Sequence, residues 1–294
     1  MCLVAIALGM HPQAPLVIAS NRDEFFNRPA AALARWTDGS TISAGRDLQG
    51  GGTWLGFTDN GRFAVLTNVR EPGNAAPPGL HSRGGLVSAW LNSSLAAPDW
   101  ARQVQADHYA GCNIILGDWP AQRCFYMTNR LKSAMNNASA ATKCIADWHL
   151  QALDWKCVHT LSNAQLDTPW PKTLALRQTL ARGLHDYQPV GQDTQGKMSS
   201  ARQMLHQTLL TALQDDSPAP DADVPRTGLT LDKERALSSA RVRMGSLPHL
   251  PDSAAYGTRC STVASLDPAL RLHIQETTYT ANDQRSQVRT ALQW

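Results

Sequence analysis

No stretch of this chain approaches the roughly 18 consecutive apolar residues of a membrane-crossing helix. The apolar run after Met1 is short, lacks a positive flank and is interrupted by Gly9, His11 and Pro12, so it reads as neither signal peptide nor span. No two cysteines form a C-x-x-C pair, and the six present, at positions 2, 112, 124, 144, 157 and 260, are scattered. That pattern argues against a disulfide framework or a structural zinc site and for a reducing, cytoplasmic setting. The nine histidines include no H-x-x-x-H or H-E-x-x-H spacing, so no metal site is expected. A G-x-G-x-x-G run, a phosphate loop and a C-x-x-C-H haem attachment are all missing. There is no basic block either, and a net charge of +3 is too small to point to nucleic acid. With no repeat and no evident linker, the 294 residues read as one domain spanning positions 1–294, long enough to bury a large core. Aromatic residues are only 6% of the chain, yet nine are tryptophan, expected mainly in the core.

Short β-rich runs and amphipathic stretches alternate along the chain. Residues 2–8 and from 16 onward are two apolar runs bracketing a turn at His11 to Pro15, which predicts an antiparallel pair at the amino end. Residues 29–46 read as a mobile connection, and Gly50-Gly51-Gly52 as a place where the backbone bends or approaches something closely. Asp59-Asn60-Gly61 between residues 53–58 and 62–69 is a hairpin signal. Residues 71–80 form a loop, and residues 82–92 and 98–108 helices, with Ser82 and Asp99 as cap candidates. Strands follow at 112–117 and 123–129; residues 131–152 show no clear period, and 159–163 is a short strand. Residues 171–187 are the clearest helix, with Leu174, Leu180, Ala181 and Leu184 as its stripe. A second helix, 200–214, carries Ala201, Met204, Leu205, Leu209 and Ala212 on one face. An exposed loop (215–225), a short helix (232–243) and a strand pair (256–266, 270–280) close the chain. Strand pairs interleaved with helix pairs point to an α+β protein of stacked layers rather than a doubly wound parallel sheet.

The chemistry concentrates at the amino end. A small residue after the initiator favours Met1 removal, which would give Cys2 both a thiol and a free α-amine. An α-amine of pKa about 7.7–8.0 can act as base for a thiol near 8.5. The second apolar run ends in Asn21-Arg22-Asp23-Glu24, where strand alternation puts Asn21 and Asp23 on one face and Arg22 and Glu24 on the other. Asp23 is expected on the face that meets Cys2, orienting its amine. Arg22 and Glu24 either pair with each other or brace the sheet, and a structural ion cluster is the competing reading for the whole tetrapeptide. Asn68 and Asn163 each end a short apolar run and offer neutral N–H donors for an oxyanion. Trp54 and His81, the latter in the loop expected to rim the site, are the candidate substrate contacts.

Asn21-Arg22-Asp23-Glu24 before Phe25-Phe26-Asn27-Arg28-Pro29 resembles the signature of the NRDE family, which includes the transport and Golgi organisation protein 2 group. The resemblance continues through Gly51-Gly52-Thr53-Trp54-Leu55-Gly56, Leu66-Thr67-Asn68, Ser82-Arg83-Gly84, Leu161-Ser162-Asn163 and Tyr256-Gly257-Thr258-Arg259. It implies the four-layer αββα sandwich of N-terminal nucleophile hydrolases. Leu66-Thr67-Asn68 and Leu161-Ser162-Asn163 are similar to the asparagine positions of penicillin V acylases and bile salt hydrolases in that superfamily. Arg259 resembles an active-site arginine of those enzymes that would hold Asp23 or a substrate carboxylate. Those amidases carry an Arg three residues before the Asp, where this chain has Ser20; either Arg22 takes over that task or the chemistry differs.

Two function classes follow. In the first, Cys2, Asp23, Asn68, Asn163 and Arg259, supported by Asn21, Arg22 and Glu24, make a cysteine amidohydrolase. It cleaves a linear C–N amide of a small molecule or acyl conjugate and needs no cofactor. In the second, implied by the family's connection with haem handling and acyl-lipid metabolism, the fold is a carrier that binds haem without covalent linkage, through Cys2 or a histidine. A third reading, an organiser of the secretory pathway, finds little physical support in a chain without membrane segment, repeat or charged tail.

Overall fold

A computed structural model of the chain describes residues 2–73, 79–131, 142–145, 147–188, 198–245 and 255–294. The strands in order are β1 (Cys2–His11), β2 (Ala14–Phe25), β3 (Ala30–Arg35), β4 (Ile42–Asp47), β5 (Leu55–Thr58), β6 (Arg62–Asn68), β7 (Cys112–Asp118) and β8 (Arg123–Thr128). They continue as β9 (Thr142–Ile145), β10 (Trp148–Ala152), β11 (Cys157–Leu161), β12 (Arg243–Met244), β13 (Tyr256–Leu266), β14 (Arg271–Tyr279) and β15 (Arg285–Gln293). The helices are α1 (Gly84–Leu91), α2 (Ala97–Arg102), α3 (Pro171–His185), α4 (Ser200–Leu213) and α5 (Leu231–Ala236). Among the described residues no helix is long and apolar enough to cross a membrane.

The backbone gathers into two compact units, each assembled from separate parts of the chain. Unit 1 takes Met1–Asn27, Asp154–Ser162 and Leu166–Trp294; unit 2 takes Arg28–Leu153 and Asn163–Gln165. The sheet of unit 1 has the order β11-β1-β2-β13-β14-β15, with β12 paired to β13, and every pairing is antiparallel. Leu3, Ala5, Ala7, Val17, Ala19 and Val263 on one face of this sheet join Leu176, Leu180, Leu205 and Leu209 of α3 and α4 in one apolar core. The sheet of unit 2 has the order β3-β4-β5-β6-β7-β8-β10-β9. Its core sets Ile42, Ala64, Leu66, Ile114, Leu116 and Met127 against Leu86, Val87, Trp90 and Trp100 of α1 and α2. Each unit is thus a helix layer on an antiparallel sheet layer, the α+β composition of an αββα sandwich.

Several boundaries depart from expectation for identifiable reasons. Residues 29–46 are not a mobile connection but hold β3 and β4; the Ala-rich β3 carries no alternating pattern because only Leu33 of its six residues is buried. The last strand, β15, also escapes sequence reading, since eight of its nine residues are not buried and its composition is polar. The helix expected at 232–243 ends at Ala236, and that expected at 98–108 ends at Arg102, with a 3-10 turn at Ala106–His108. Ser82 is not the cap of α1, whose first turn begins at Arg83 without a side-chain cap; Asp99 lies in the first turn of α2 without capping it.

The stripes of α3 and α4 are rotated from those read by hydropathy. Leu174 is 39% exposed and Met204 70% exposed, whereas Lys172, Arg202 and His206 face inward. Each inward group has a polar partner. Lys172 Nζ donates to the Leu237 carbonyl (2.9 Å), Arg202 Nη1 to Ser265 Oγ (2.9 Å), and His206 Nε2 pairs with the same hydroxyl (2.7 Å). The glycine run behaves as expected. Gly51 has φ +74, and a Cβ on Gly52 would come within 2.2 Å of the Gly84 carbonyl carbon at the start of α1. Six of the nine tryptophans, Trp36, Trp54, Trp90, Trp100, Trp119 and Trp148, are buried.

Candidate functional site

The register of the β1–β2 hairpin decides what stands beside Cys2. At the turn, His11 faces Ala14; farther along, Leu8 faces Leu16 and Cys2 faces Arg22, with an irregularity between Leu8 and His11. Carried unbroken from the turn, the register would have put Cys2 opposite Asp23. The irregularity takes up one residue, at Gly9 with φ +64, and a slip of one exchanges the two faces of a strand. Directly opposed residues of an antiparallel pair share a face. Cys2 therefore shares a face with Arg22, and Asp23 lies on the other, correcting the expectation that Asp23 would meet the thiol there. The alternation within the tetrapeptide holds. Arg22 also faces Cys260 of β13, so Cys2, Arg22 and Cys260 form one row across three neighbouring strands.

Cys2 is buried. Its carbonyl accepts a hydrogen bond from Ser162 Oγ (2.8 Å), which ties the start of β1 to the residue following β11. Burial pushes the Cys2 thiol up and the charge of Asp23 acts in the same sense; the amino-terminal charge first, then the Arg22 guanidinium and the backbone N–H of Asp23, act against them. The Cys260 thiol is pushed well up, chiefly by burial and then by the Glu276 carboxylate. Glu276 is itself buried and accepts from Thr262 Oγ1 (3.1 Å).

On the helix-facing side, Asn21 is fully buried. Its Nδ2 donates to the carbonyls of Leu213 and Ala240 (2.8 Å each), and its Oδ1 accepts from Ser261 Oγ (2.6 Å). Leu213 is the last residue of α4, so the amide satisfies a helix-end carbonyl that has no partner inside the helix. Asp23 Oδ1 accepts from Thr258 Oγ1 (2.6 Å) and its carbonyl from the Tyr256 hydroxyl (2.9 Å). Thr258 Oγ1 in turn accepts from the Val242 N–H (2.9 Å). Glu24 caps its own neighbour, accepting from the Phe25 N–H (2.9 Å). Arg259 falls at the register shift between Thr258 and Cys260. Its Nη1 donates to the Phe25 carbonyl (2.8 Å), with the guanidinium 5.3 Å from the Phe26 ring centre. These contacts fasten the ends of β2 and β13 together.

The remaining candidates belong to unit 2. Asn68 ends β6, and its carbonyl accepts from Asn163 Nδ2 (2.9 Å). Asn163 is buried, and its own carbonyl accepts from the Arg70 N–H (2.9 Å). One of the two amide hydrogens of Asn163 is thus committed. Asn113 holds the same segment, donating to the Ala164 carbonyl (2.9 Å) and Thr67 Oγ1 (3.1 Å). Trp54 is buried beside Gly45, where a Cβ would lie 2.4 Å from the indole. His81 is exposed; its ring centre lies 5.2 Å from that of His108 and 5.7 Å from that of Tyr109. Sequence reading missed Cys260, which only strand register places in the row of Cys2, and Glu276, which faces Thr262 on the same side of the sheet.

Two cavities border the α3–α4 pair in unit 1. One, of about 550 Å³, is lined by residues such as Thr179, Arg182, Tyr187 and Met204. The other, of about 690 Å³, is lined by residues such as Lys172, Leu176, Gln214 and Asp215. Neither is lined by Cys2 or by a histidine, the residues the carrier reading would set against haem iron.

The sequence matches the family model of transport and Golgi organisation 2 over residues 1–281. The transport and Golgi organization protein 2 homolog of Bos taurus is 27% identical over 280 residues, covering 91% of this chain and 89% of the relative. Among solved structures, a mutant conjugated bile acid hydrolase from Clostridium perfringens aligns over 100% of this chain and 97% of its own, at 10% identity and a TM-score of 0.40. A Caenorhabditis elegans ortholog of N-acylethanolamine-hydrolyzing acid amidase aligns over 91% and 93%, at 12% identity and a TM-score of 0.41.

Proposed function

The chain belongs to the transport and Golgi organisation 2 family, and from that footing we propose that it is a cysteine amidohydrolase cleaving a linear C–N amide of a small molecule or acyl conjugate after loss of Met1. The observation that carries the reading is the setting of Cys2. The second residue of the sequence opens an inner strand of the sheet, its carbonyl is pinned by Ser162, and its side chain lies opposite a buried arginine. A cysteine serving only as a core filler needs neither the charge nor the clamp.

In the proposed reaction the Cys2 thiol gives its proton to the freed α-amine and its sulfur attacks the amide carbon. Collapse of the tetrahedral intermediate breaks the C–N bond, and the departing amine takes the proton back. Water then adds to the thioester, releasing the acid and restoring the thiol. Asn68 and Asn163 enter as the oxyanion donors on their sequence context. Asp23 and Arg259 set the strand ends that frame the nucleophile, and Trp54 and His81 keep the substrate-side role assigned from sequence.

The test is intact mass followed by hydrolysis of a panel of N-acyl amides. The reading expects Met1 to be absent and Cys2→Ala to lower turnover at least about thousandfold, as removal of a nucleophile does elsewhere. Retained Met1, or a Cys2→Ala protein as active as wild type, would overturn it and favour the non-covalent haem or acyl-lipid carrier.

A further inference from the structure

A second polar node of unit 1 lies at the turn after β11. Asp167 and Thr160 exchange two hydrogen bonds there: the Asp167 N–H donates to the Thr160 carbonyl, and the Thr160 N–H to Asp167 Oδ1 (2.8 Å each). The exchange closes a loop that holds Ser162. Arg177 of α3 donates through Nη2 to Asp167 Oδ1 and to Thr160 Oγ1 (3.1 Å for the latter), and His159 Nδ1 lies 2.9 Å from Asp167 Oδ2. One carboxylate thus ties β11 to α3 at the base of the loop whose Ser162 hydroxyl clamps the Cys2 carbonyl. We propose that Asp167 is a positioning residue for Cys2: held by His159 and Arg177, it sets the loop that places Ser162, and through Ser162 the start of β1. This inference rests on the reading of Cys2 as the nucleophile and names what keeps that residue in place.

Three observations support it. First, the backbone of Asp167 is left-handed, with φ +59. A residue other than glycine keeps that conformation where its surroundings over-determine it, and here they do so through the bonds to Thr160, His159 and Arg177. Second, the ladder between β1 and β11 ends at Val4 and Leu161. Beyond it the Ser162 hydroxyl carries the attachment on to Cys2, so a shift of the loop reaches the peptide group of the nucleophile itself. Third, the loop is fastened at its exit as well. The Trp170 N–H donates to the Thr168 carbonyl (2.8 Å), and Thr173 Oγ1, in the first turn of α3, lies 2.8 Å from the carbonyls of both Thr168 and Trp170. The stretch Leu166-Asp167-Thr168-Pro169-Trp170-Pro171-Lys172 therefore runs from the node into α3, whose Leu176 and Leu180 share a core with Leu3 and Ala5 beside Cys2.

The experiment is the rate of iodoacetamide labelling at Cys2 relative to Cys260, both buried thiols, in the full chain at fixed pH, read by peptide mass spectrometry. Asp167→Ala removes every bond of the carboxylate and is expected to quicken Cys2 about tenfold over Cys260, the effect of losing a charged hydrogen-bond partner at a local opening. Asp167→Asn keeps an acceptor for Thr160 and suits a left-handed backbone, so it should return the ratio most of the way to wild type. Ser162→Ala should quicken Cys2 likewise, and Asp167→Ala added to it should do little more, because the effect runs through Ser162. A node serving stability alone would quicken both cysteines together. If Asp167→Ala does not fold, Arg177→Met, which leaves His159 in place, carries the test with a rise of about threefold. A ratio unmoved in every variant that folds, or effects of Asp167→Ala and Ser162→Ala that multiply, overturns the proposal. Labelling needs no substrate, so a changed ratio without amide cleavage by the wild type would sink the hydrolase reading and leave the fastening of Cys2 standing. Cleavage with an unmoved ratio would do the reverse.

Discussion

Asn21→Asp is nearly isosteric and inverts the chemistry of a fully buried amide, so packing is held constant while two donors are lost. In the wild type Asn21 Nδ2 lies 2.8 Å from the Leu213 and Ala240 carbonyls. A carboxylate there presents a negative oxygen to two acceptors, while its other oxygen still accepts from Ser261. Each carbonyl left buried without a donor costs about 1–3 kcal/mol, and unpaired charge adds to that, giving roughly 3–5 kcal/mol in total. Against a typical stability of about 5–15 kcal/mol and a urea slope of about 2–3 kcal/mol per molar, the unfolding midpoint should fall by roughly 1–2 M. The loss should also depend on pH. The carboxylate is disfavoured in the fold, so its folded pKa lies above the unfolded value near 3.9. The penalty is then full above the folded pKa and shrinks as pH falls through it, because the protonated acid can again donate to one carbonyl. Urea unfolding followed by circular dichroism at pH 7 and pH 4 reads both effects. A midpoint within about 0.3 M of wild type at both pH values would refute the assignment of Asn21 as a frame residue.

Two further outcomes are expected elsewhere in the fold. Gly52→Ala sets a Cβ against the backbone of Gly84, where neither partner can yield by rotating a side chain; a loss of about 3 kcal/mol is expected, and a melting temperature lowered by less than 2 °C would contradict it. His159 has Nδ1 2.9 Å from Asp167 Oδ2 and Nε2 3.1 Å from the Asp154 carbonyl, so both nitrogens face acceptors. Burial alone would lower this imidazole, but the Asp167 hydrogen bond and the neighbouring acceptors outweigh it and raise it. Burial would raise Asp167, but His159, the Thr160 N–H and Arg177 hold it down. The raised histidine stabilises fully below its usual 6.5 and loses this as pH rises through its folded value; the lowered aspartate stabilises above its usual 3.8 and loses this as pH falls. His159→Phe should therefore cost most, about 1–2 kcal/mol, between roughly pH 4.5 and 6.5, and less by pH 9. Equal losses in urea at pH 5.5 and pH 9 would count against the ion pair.

Elements with a strong local signal were legible. Asn60-Gly61 marks the turn between β5 and β6, with Gly61 at φ +81, and Pro171 opens α3. Elements whose residues mostly face outward were not, as β3 and β15 show. The rotated stripes have a different cause. Hydropathy assigns Lys172, Arg202 and His206 to solvent, and partners distant in sequence, among them Leu237, Ser265 and Gln13, make their burial tolerable. At the site, the alternation of Asn21-Arg22-Asp23-Glu24 could be read directly, whereas the face meeting Cys2 turned on a single irregular residue near Gly9. Periodicity carries phase but not register. The bond between Asn163 and the Asn68 carbonyl joins residues 95 apart and has no local trace at all.

The tetrapeptide divides its work by parity, and the two halves depend on each other. Holding a guanidinium out of water is tolerable only if its backbone stays in reach of its partners, because the interaction weakens with each added ångström. The fixing is done from behind, where Asn21 fastens β2 to the end of α4 and to Ala240, and Asp23 fastens it to Thr258. Loss of Asn21 should therefore lower the amount of folded protein and, in the molecules that remain folded, loosen β2 enough to speed iodoacetamide labelling of the buried Cys2 thiol, read by peptide mass spectrometry. Loss of Arg22 should leave the Asn21 contacts intact. A frame that acts through the backbone predicts this asymmetry, and two independent residues do not.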